Sequence, residues 1–174
     1  MKSVKSQSQA TKIDIGAQDS KVVRVERGGV VLDFAMNDRC AAGTGKFIEM
    51  VAAMLGLTLD EAGSLALESP ESVEISSMCA VFAESEIVGL LHKGVPRETI
   101  LHGVFRSIAR RTLGMAGRFG FENDIVFTGG VALNQGIVEI MKREARIDAL
   151  HIPPDPQITG ALGAAILARR DLVR

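Results

Sequence analysis

The 174-residue sequence contains no tryptophan and no tyrosine, and its aromatic content is only 4%. Platforms that stack the bases of single-stranded nucleic acid depend on aromatic side chains, so this class of binding is disfavoured. The formal net charge of −1 gives no indication that this protein has a basic surface for binding nucleic acid or an anionic membrane. No apolar run reaches the ~18–20 residues of a membrane span, and no signal peptide opens the chain. The sequence therefore predicts a cytoplasmic protein with neither a nucleic-acid nor a membrane partner.

Cysteine is also scarce, since only Cys40 and Cys79 occur. Each precedes an apolar-periodic run typical of a helix, Phe47 to Leu55 after the first and Val81 to Leu91 after the second. A helix N-terminus has unsatisfied N–H groups and a partial positive charge, which favour thiolate, the form that ligates iron or zinc. A structural disulfide is the poorer alternative in the cytoplasm. Two thiolates suggest half of a four-ligand site completed by a symmetric copy, while zinc between two chains or two buried apolar thiols remain alternatives.

The order of elements predicts the fold class. Residues 1–10 are polar and rich in Ser and Gln, which predicts a disordered leader. Three β-branched runs predict strands at Lys12–Ile15, Lys21–Glu26 and Val30–Met36, with a hairpin turn at Arg27-Gly28-Gly29. Periodicity then predicts helices at Gly45–Leu55, Leu59–Leu67, Val81–His92 and Glu98–Phe119, followed by strand–helix alternation at Asp124–Phe127, Asn134–Ala145, Leu150–Ile152 and Gly160–Arg170. This is the α/β plan of a single ribonuclease-H-like domain over residues 11–174, with inserted helices that carry the cysteines.

Two glycine-containing loops are candidates for nucleotide binding. In Asp14–Lys21 a carboxylate at a strand end is followed by glycine and polar residues, which suits backbone contacts to phosphate and a hydrated Mg²⁺ beside Asp14. Taken alone, this segment is more typical of a plain hairpin turn. In Thr128–Asn134 paired glycines would let a ligand approach the backbone near a helix N-terminus. Neither loop matches the P-loop or the dinucleotide-binding fingerprint.

The combination of these motifs resembles the ATPase superfamily of acetate kinase, Hsp70 and actin. Within it, the chain resembles the BadF/BadG/BcrA/BcrD family, the activators of 2-hydroxyacyl-CoA dehydratases and the ATPase subunits of benzoyl-CoA reductases. The segments that carry this resemblance are Asp14–Lys21, Asn37–Phe47 (with Asn-Asp-Arg-Cys-Ala-Ala-Gly-Thr-Gly), Cys79–Glu86 and Thr128–Asn134.

The resemblance implies a cofactor and partners. Cys40 and Cys79 of each of two subunits would hold one bridging 4Fe–4S cluster in a homodimer. ATP hydrolysis would drive a low-potential electron, from a donor such as ferredoxin or flavodoxin, onto a dehydratase or reductase with a CoA substrate. A non-catalytic iron–sulfur dimer module is the next alternative, and a small-molecule kinase is ranked last because it has no use for helix-leading cysteines.

The resemblance also implies the roles of individual residues toward MgATP or MgADP. Asp14 would hold Mg²⁺ through water and Gln18 would orient the attacking water. The remaining nucleotide-binding positions would be Gly16, Ala17, Asp19, Gly129, Gly130 and Asn134. Where the family has Gly-Gly-Gln-Asp, this chain has Ala17 at the second position.

One family motif is missing. Nothing before Lys12 resembles the first phosphate motif, Asp-x-Gly-Thr/Ser. The chain is therefore expected to correspond to the C-terminal half of the family fold, with poor ATPase activity on its own.

Overall fold

A computed structural model gives the structure of the chain and describes residues 9–26, 28–37, 40–76, 79–120 and 124–172. Most of the predicted leader, residues 1–8, lies outside the described residues. Its last residue, Ala10, is instead the first residue of a strand. The sheet therefore begins slightly earlier than the hydrophobic pattern predicts, because Ala10 pairs with Val25 on the neighbouring strand.

Four strands form one mixed sheet: β1 Ala10–Ile15, β2 Ser20–Val25, β3 Val31–Asn37 and β4 Ile125–Thr128. Their order is β3-β2-β1-β4, with antiparallel pairing of β1 with β2 and of β2 with β3, and parallel pairing of β1 with β4. The predicted β2–β3 hairpin is confirmed in its described part, where Gly28 and Gly29 have φ of 99° and 84°. These angles lie in the left-handed region that glycine adopts without strain.

The short strand predicted at Leu150–Ile152 is reduced to a single bridge. His151 pairs in parallel with Val126, and its N–H and C=O bond to Ile125 and Phe127 of β4. The ladder stops there because Pro153 follows Ile152 and has no N–H to donate.

The described residues form six α-helices close to the predicted bounds: α1 Gly45–Met54, α2 Leu59–Glu68, α3 Ala80–His92, α4 Arg97–Gly117, α5 Gln135–Ala145 and α6 Thr159–Leu172. Two 3-10 turns, Ala41–Gly43 and Gly130–Leu133, precede α1 and α5. The start of α2 is a capping box, in which Thr58 accepts from Glu61 N–H and the Glu61 side chain accepts from Thr58 N–H.

The core lies between one face of the sheet and the helices. Helix α4 contacts β2, β3, α2 and α5, and it contributes the buried side chains of Phe105 and Ile108. The sheet contributes Ile13, Ile15 and Phe127, which are fully buried. Helix α6 differs, since none of its residues with a described side chain is buried.

Among the described residues, no single helix is long and apolar enough to cross a membrane. Helices α1 and α2 meet the requirements of length and composition only as a pair, and an angle of 84° separates them.

Candidate nucleotide cleft and cysteine pair

The turn between β1 and β2, Gly16–Asp19, presents free backbone donors. It is closed by a 2.9 Å hydrogen bond from Gly16 N–H to the Asp19 carbonyl. Within the part of the chain that the structure describes, the N–H groups of Ala17 and Gln18 donate no hydrogen bond. Ala17 has no positive φ, so its methyl group is compatible with the backbone of this turn. Consecutive free amides of this kind can bind phosphate oxygens.

The polar side chains of this turn have different surroundings. Gln18 is exposed. Asp19 is engaged with its neighbour, since Lys21 Nζ lies 2.5 Å from Asp19 Oδ2. Of these two side chains, that of Gln18 can therefore turn toward a ligand without breaking an ion pair.

Asp14 lies at the point where β1 and β4 run side by side. Thr128 Oγ1 donates to Asp14 Oδ2 at 2.6 Å, and Lys12 Nζ is 3.5 Å from the same oxygen. The side chain of Asp14 is 20% exposed. Its carboxylate is thus held in position by its neighbours yet remains within reach of a solvated cation.

Gly129 brings the loop after β4 against β1. Its φ is 88°, and an added Cβ would lie 2.2 Å from the carbonyl oxygen of Ile15. Its N–H donates to the Pro156 carbonyl at 2.9 Å. No residue but glycine fits this position, because both the dihedral angle and the space exclude a side chain. Gly130 follows at the start of a 3-10 turn, next to Gln157.

A cleft with a volume of about 530 Å³ opens between these two loops and helices α1 and α2. Four of the predicted site residues line it: Gly16, Ala17, Gly130 and Asn134. Asp14, Gln18, Asp19 and Gly129 lie beside the cleft and are not part of its lining. The lining residues that sequence reasoning missed are Gly45, Ile48, Glu49, Thr58, Leu59, Asp60, Val131, Leu133 and Gln157. In the sequence, Thr58 and Asp60 indicate only the start of a helix. No sequence pattern identifies Glu49 or Gln157 as residues of a binding site.

The rim of the cleft at α2 is fixed by the capping box. Hydrogen bonds from the backbone and then the side chain of Thr58 lower the pKa of Glu61. Both N–H and Oγ of Thr58 donate to Glu61 Oε2 at 2.8 Å. An ionised Glu61 therefore keeps Thr58 and the start of α2 in one position at neutral pH.

The buried side chain of Asn134 joins the rim to the loop after β4. Its Nδ2 donates to the Leu59 carbonyl at 2.7 Å, and its Oδ1 accepts from Ile137 N–H at 3.3 Å. An added Cβ on Gly63 of α2 would lie 2.5 Å from this Oδ1. Asn134 therefore shapes the wall of the cleft, with its amide already bonded to the protein.

The turn Gly16–Asp19 is bonded directly to the start of α1. Gly45 N–H donates to the Gly16 carbonyl and Lys46 N–H to the Ala17 carbonyl, both at 2.8 Å. An added Cβ on Gly45 would lie 3.1 Å from the Gly16 oxygen, so glycine allows this close contact. A movement of the turn would thus be transmitted to the segment that begins at Cys40.

The two cysteines head neighbouring elements. Cys79 is the N-cap of α3, as predicted, and it is exposed. Cys40 is instead the N-cap of the 3-10 turn Ala41–Gly43, and Thr44 caps α1. The predicted start of α1 at Gly45 is confirmed, and a 3-10 turn separates Cys40 from this helix. Helix α3 contacts the 3-10 turn, so the cysteine-bearing elements adjoin one another.

The donor set fits half of a thiolate cluster site. Within the described residues Cys40 and Cys79 form no disulfide, and a 4Fe–4S cluster takes four thiolates. Across the described ranges, no three His, Cys, Asp or Glu side chains gather as a metal-binding group. A cluster at this place would therefore need two further ligands from outside the chain.

A ribonuclease-H-like sheet with a cleft at the ends of its first and last strands defines the domain as one of the actin/Hsp70-like ATPase fold, and solved structures with this fold resemble it. The model of the BadF/BadG/BcrA/BcrD ATPase family matches residues 3–168, and the chain belongs to that family.

Relatives and solved structures agree with this assignment. The chain is 48% identical to the activator of lactoyl-CoA dehydratase of Anaerotignum propionicum, over 91% of this chain and 61% of that protein. The structure of the activator of 2-hydroxyisocaproyl-CoA dehydratase from Clostridium difficile with bound ADPNP has a TM-score of 0.85 and 43% identity, covering 93% of this chain and 60% of that one. A more distant relative is one of the subunits of benzoyl-CoA reductase of Thauera aromatica, at 32% identity over 88% of this chain and 56% of that protein. The chain thus spans about 60% of the length of the dehydratase activators it matches.

Proposed function

We propose that this chain is the nucleotide- and cluster-binding part of an ATP-dependent electron-transfer activator whose partner is a CoA-substrate dehydratase. The observation that carries the proposal is the pair of backbone hydrogen bonds from Gly45 and Lys46 to the turn Gly16–Asp19. They join the proposed phosphate-binding turn to the segment that begins at Cys40. The higher identity to a dehydratase activator than to a benzoyl-CoA reductase component supports the dehydratase as the partner.

The cleft suits a nucleotide in size and chemistry. A volume of about 530 Å³ falls within the range of small-molecule sites. Ile48, Val131 and Leu133 supply apolar surface for a base, and Glu49 and Asp60 supply acceptors for ribose hydroxyls. The amides of Ala17 and Gln18 would bind phosphate oxygens.

The residues at the strand ends would position a metal ion and a water molecule. Asp14 would hold Mg²⁺ through water, because its carboxylate is fixed by Thr128 and partly exposed. Gln18 would orient the attacking water. Phosphoryl transfer to water needs chiefly positioning and charge neutralisation, which these residues can provide without a covalent nucleophile.

The cysteines would hold a cluster shared between two copies of the chain. Cys40 and Cys79 supply two thiolates, and a symmetric copy supplies the other two. A 4Fe–4S cluster held in this way would carry one electron at a low reduction potential. Exposed Val81 and Phe82, which follow Cys79 on α3, give the second copy an apolar surface to cover. A ferredoxin or flavodoxin in the cytoplasm would provide the electron in anaerobic metabolism.

The test is iron content without oxygen. Protein reconstituted with iron and sulfide should carry about four irons per dimer and show the paramagnetic resonance signal of a reduced cubane cluster. Cys40→Ser and Cys79→Ser should each abolish the signal. Ser64→Ala, an exposed position on α2, is the control and should leave iron and signal unchanged.

Two results would contradict the proposal. Full iron occupancy on a monomer would exclude the shared site. Retention of iron in both cysteine variants would exclude these residues as ligands.

A further inference from the structure

A second pocket lies apart from the nucleotide cleft and shares no lining residue with it. Its volume is about 370 Å³, and it lies between helix α4 and the extended segment that follows α2. We call it the arginine pocket. Its lining consists of Ser72, Val73, Glu74 and Ile75 from the extended segment and Gly103, Arg106, Ser107, Arg110 and Arg111 from α4.

The two walls are held in direct contact. An added Cβ on Gly103 would lie 2.3 Å from the carbonyl oxygen of Val73, so only glycine lets the segment lie this close to the helix. Each lining residue of α4 has another lining residue three or four positions away, so these residues share one face. The pocket is thus part of the packing of the domain and does not depend on a loose loop.

One carboxylate positions two of the guanidinium groups. Arg106 Nε donates to Glu144 Oε1 at 2.7 Å, and Arg110 Nε donates to Glu144 Oε2 at 2.6 Å. Arg106 Nη1 also donates to Ser72 Oγ at 2.8 Å. A guanidinium has five donors, so these contacts leave both arginines with donors to spare. Because Ser72 Oγ accepts from Arg106, its own proton is available to a ligand.

The surroundings of the pocket are rich in guanidinium groups. Its walls and the Glu144 side chain behind them carry three arginines and two glutamates, and Glu74 is exposed. Arg106 and Arg110 are the guanidinium groups that share Glu144, while Arg111 is engaged in interactions of its own. Arginines that share one carboxylate are only partly neutralised, and their planar forks match the oxygens of phosphate.

We propose that the arginine pocket binds the phosphate group of a small phosphate ester. Arg106, Arg110 and the Ser72 hydroxyl are the donors, and the space beyond the phosphate accommodates the organic part of the ester. This inference goes beyond the proposed function and does not depend on it, because the pocket contains neither the cleft residues nor the cysteines.

The location gives binding a structural consequence. Ser76, which follows the segment wall, donates from N–H and Oγ to Glu86 Oε1 on α3 at 3.0 and 2.9 Å. At the other end, Arg111 Cδ lies 3.9 Å from the position of a Cβ on Gly43, in the 3-10 turn after Cys40. A bound phosphate would therefore strengthen the attachment of α4 to a segment that leads to Cys79.

Titration with inorganic phosphate, followed by backbone amide NMR at constant ionic strength set with chloride, tests the proposal. We expect saturable shifts at the amides of 72–75 and 103–111, distinct from any shifts at the turn Gly16–Asp19. Arg110→Gln should weaken binding about tenfold, the equivalent of one charge-assisted hydrogen bond. Arg118→Gln, which removes an exposed charge at the end of the same helix, is the matched control and should leave the affinity unchanged.

Arg110→Lys is the second variant. It keeps the positive charge but removes the planar guanidinium group, so it tests whether paired N–H donors are needed for binding. A several-fold loss of affinity in it supports the site. Shifts that grow linearly without saturation, shifts confined to the cleft, or equal losses in the Arg110 and Arg118 variants would each overturn the proposal.

Discussion

At the scale of the residue, Asn134, which is expected to contact a nucleotide, also builds the cleft. Its amide is occupied by Leu59 and Ile137, and it lies against Gly63 of α2. One side chain thus caps α5 and anchors the start of α2. The geometry of the cleft wall therefore depends on the identity of this residue, whatever the ligand.

Gly129 lies beside the cleft at a position where neither the backbone conformation nor the available space allows a side chain. We expect Gly129→Ala to lower the free energy of unfolding by about 2 kcal/mol or more, because the new methyl would collide with the Ile15 backbone at a positive φ. Urea denaturation followed by circular dichroism measures the loss.

Gly114→Ala is the matched control for this substitution. Gly114 lies in α4 with open space around its Cβ position. The change should be neutral or stabilising by up to about 1 kcal/mol, because alanine is the better helix former. Equal stability of the two variants would contradict the close contact of Gly129 with β1.

At the scale of the element, α4 and α5 are joined by the ion pairs of Glu144. Burial alone would raise the pKa of this carboxyl, but hydrogen bonds and charges from Arg110 and Arg106 outweigh it and lower the pKa. A lowered pKa in the folded state means that the ionised carboxylate stabilises the fold. This contribution is complete above the pKa of the unfolded chain, near the ordinary value of 4.5. It is lost as the pH falls through the lower pKa of the folded state.

Glu144→Gln should therefore destabilise the protein at neutral pH and matter little in acid. We expect a loss of about 1 kcal/mol at pH 7, kept small because Arg110 is largely exposed and its pair is screened by solvent. Denaturation curves of both proteins at a series of pH values should converge below the pKa of the folded state. Glu139→Gln, which removes a carboxylate paired within α5, is the control. A difference that persists undiminished in acid would contradict the ionic origin of the effect.

The elements themselves were predictable because their signals are local. Alternation, helical periodicity and the Gly28-Gly29 turn each lie within a few residues, and each agrees with the structure. The lining of the cleft was only partly predictable. Glu49 and Asp60 reach it through the packing of α1 and α2, which leaves no mark in the sequence around them. The arginine pocket could not be predicted from the sequence around α4 alone, because its other wall comes from residues 72–75.

At the scale of the whole molecule, the distribution of exposed apolar side chains is uneven. On α3, Val81 and Phe82 are 67% and 70% exposed, and they lie two and three positions after Cys79. On α6, Leu162 and Leu167 are 55% and 60% exposed. A patch beside a cysteine suits an interface between copies that share a cluster.

Phe82→Gln should weaken the proposed dimer of the iron-loaded protein. We expect the dissociation constant to rise about tenfold, because aromatic side chains near the centre of an interface contribute strongly to binding. The free energy of unfolding of the monomer should hardly change, since Phe82 is exposed in it. Sedimentation equilibrium without oxygen measures the first quantity. Leu167→Gln on α6 is the control of similar exposure, and an equal loss in both variants would show that α3 has no special place in the dimer.

The parallel pairing of β1 with β4 also determines when the domain can be completed during synthesis. The hydrogen bond between Thr128 and Asp14 joins residues 114 positions apart, and both cysteines lie between them. Pairings of such long range are entropically costly to close and slow to form. On the ribosome, the β1–β3 meander and the first four helices emerge before the strand that must join them. Asp14 therefore acquires Thr128 as its partner only after the cysteine-bearing segments have already left the ribosome.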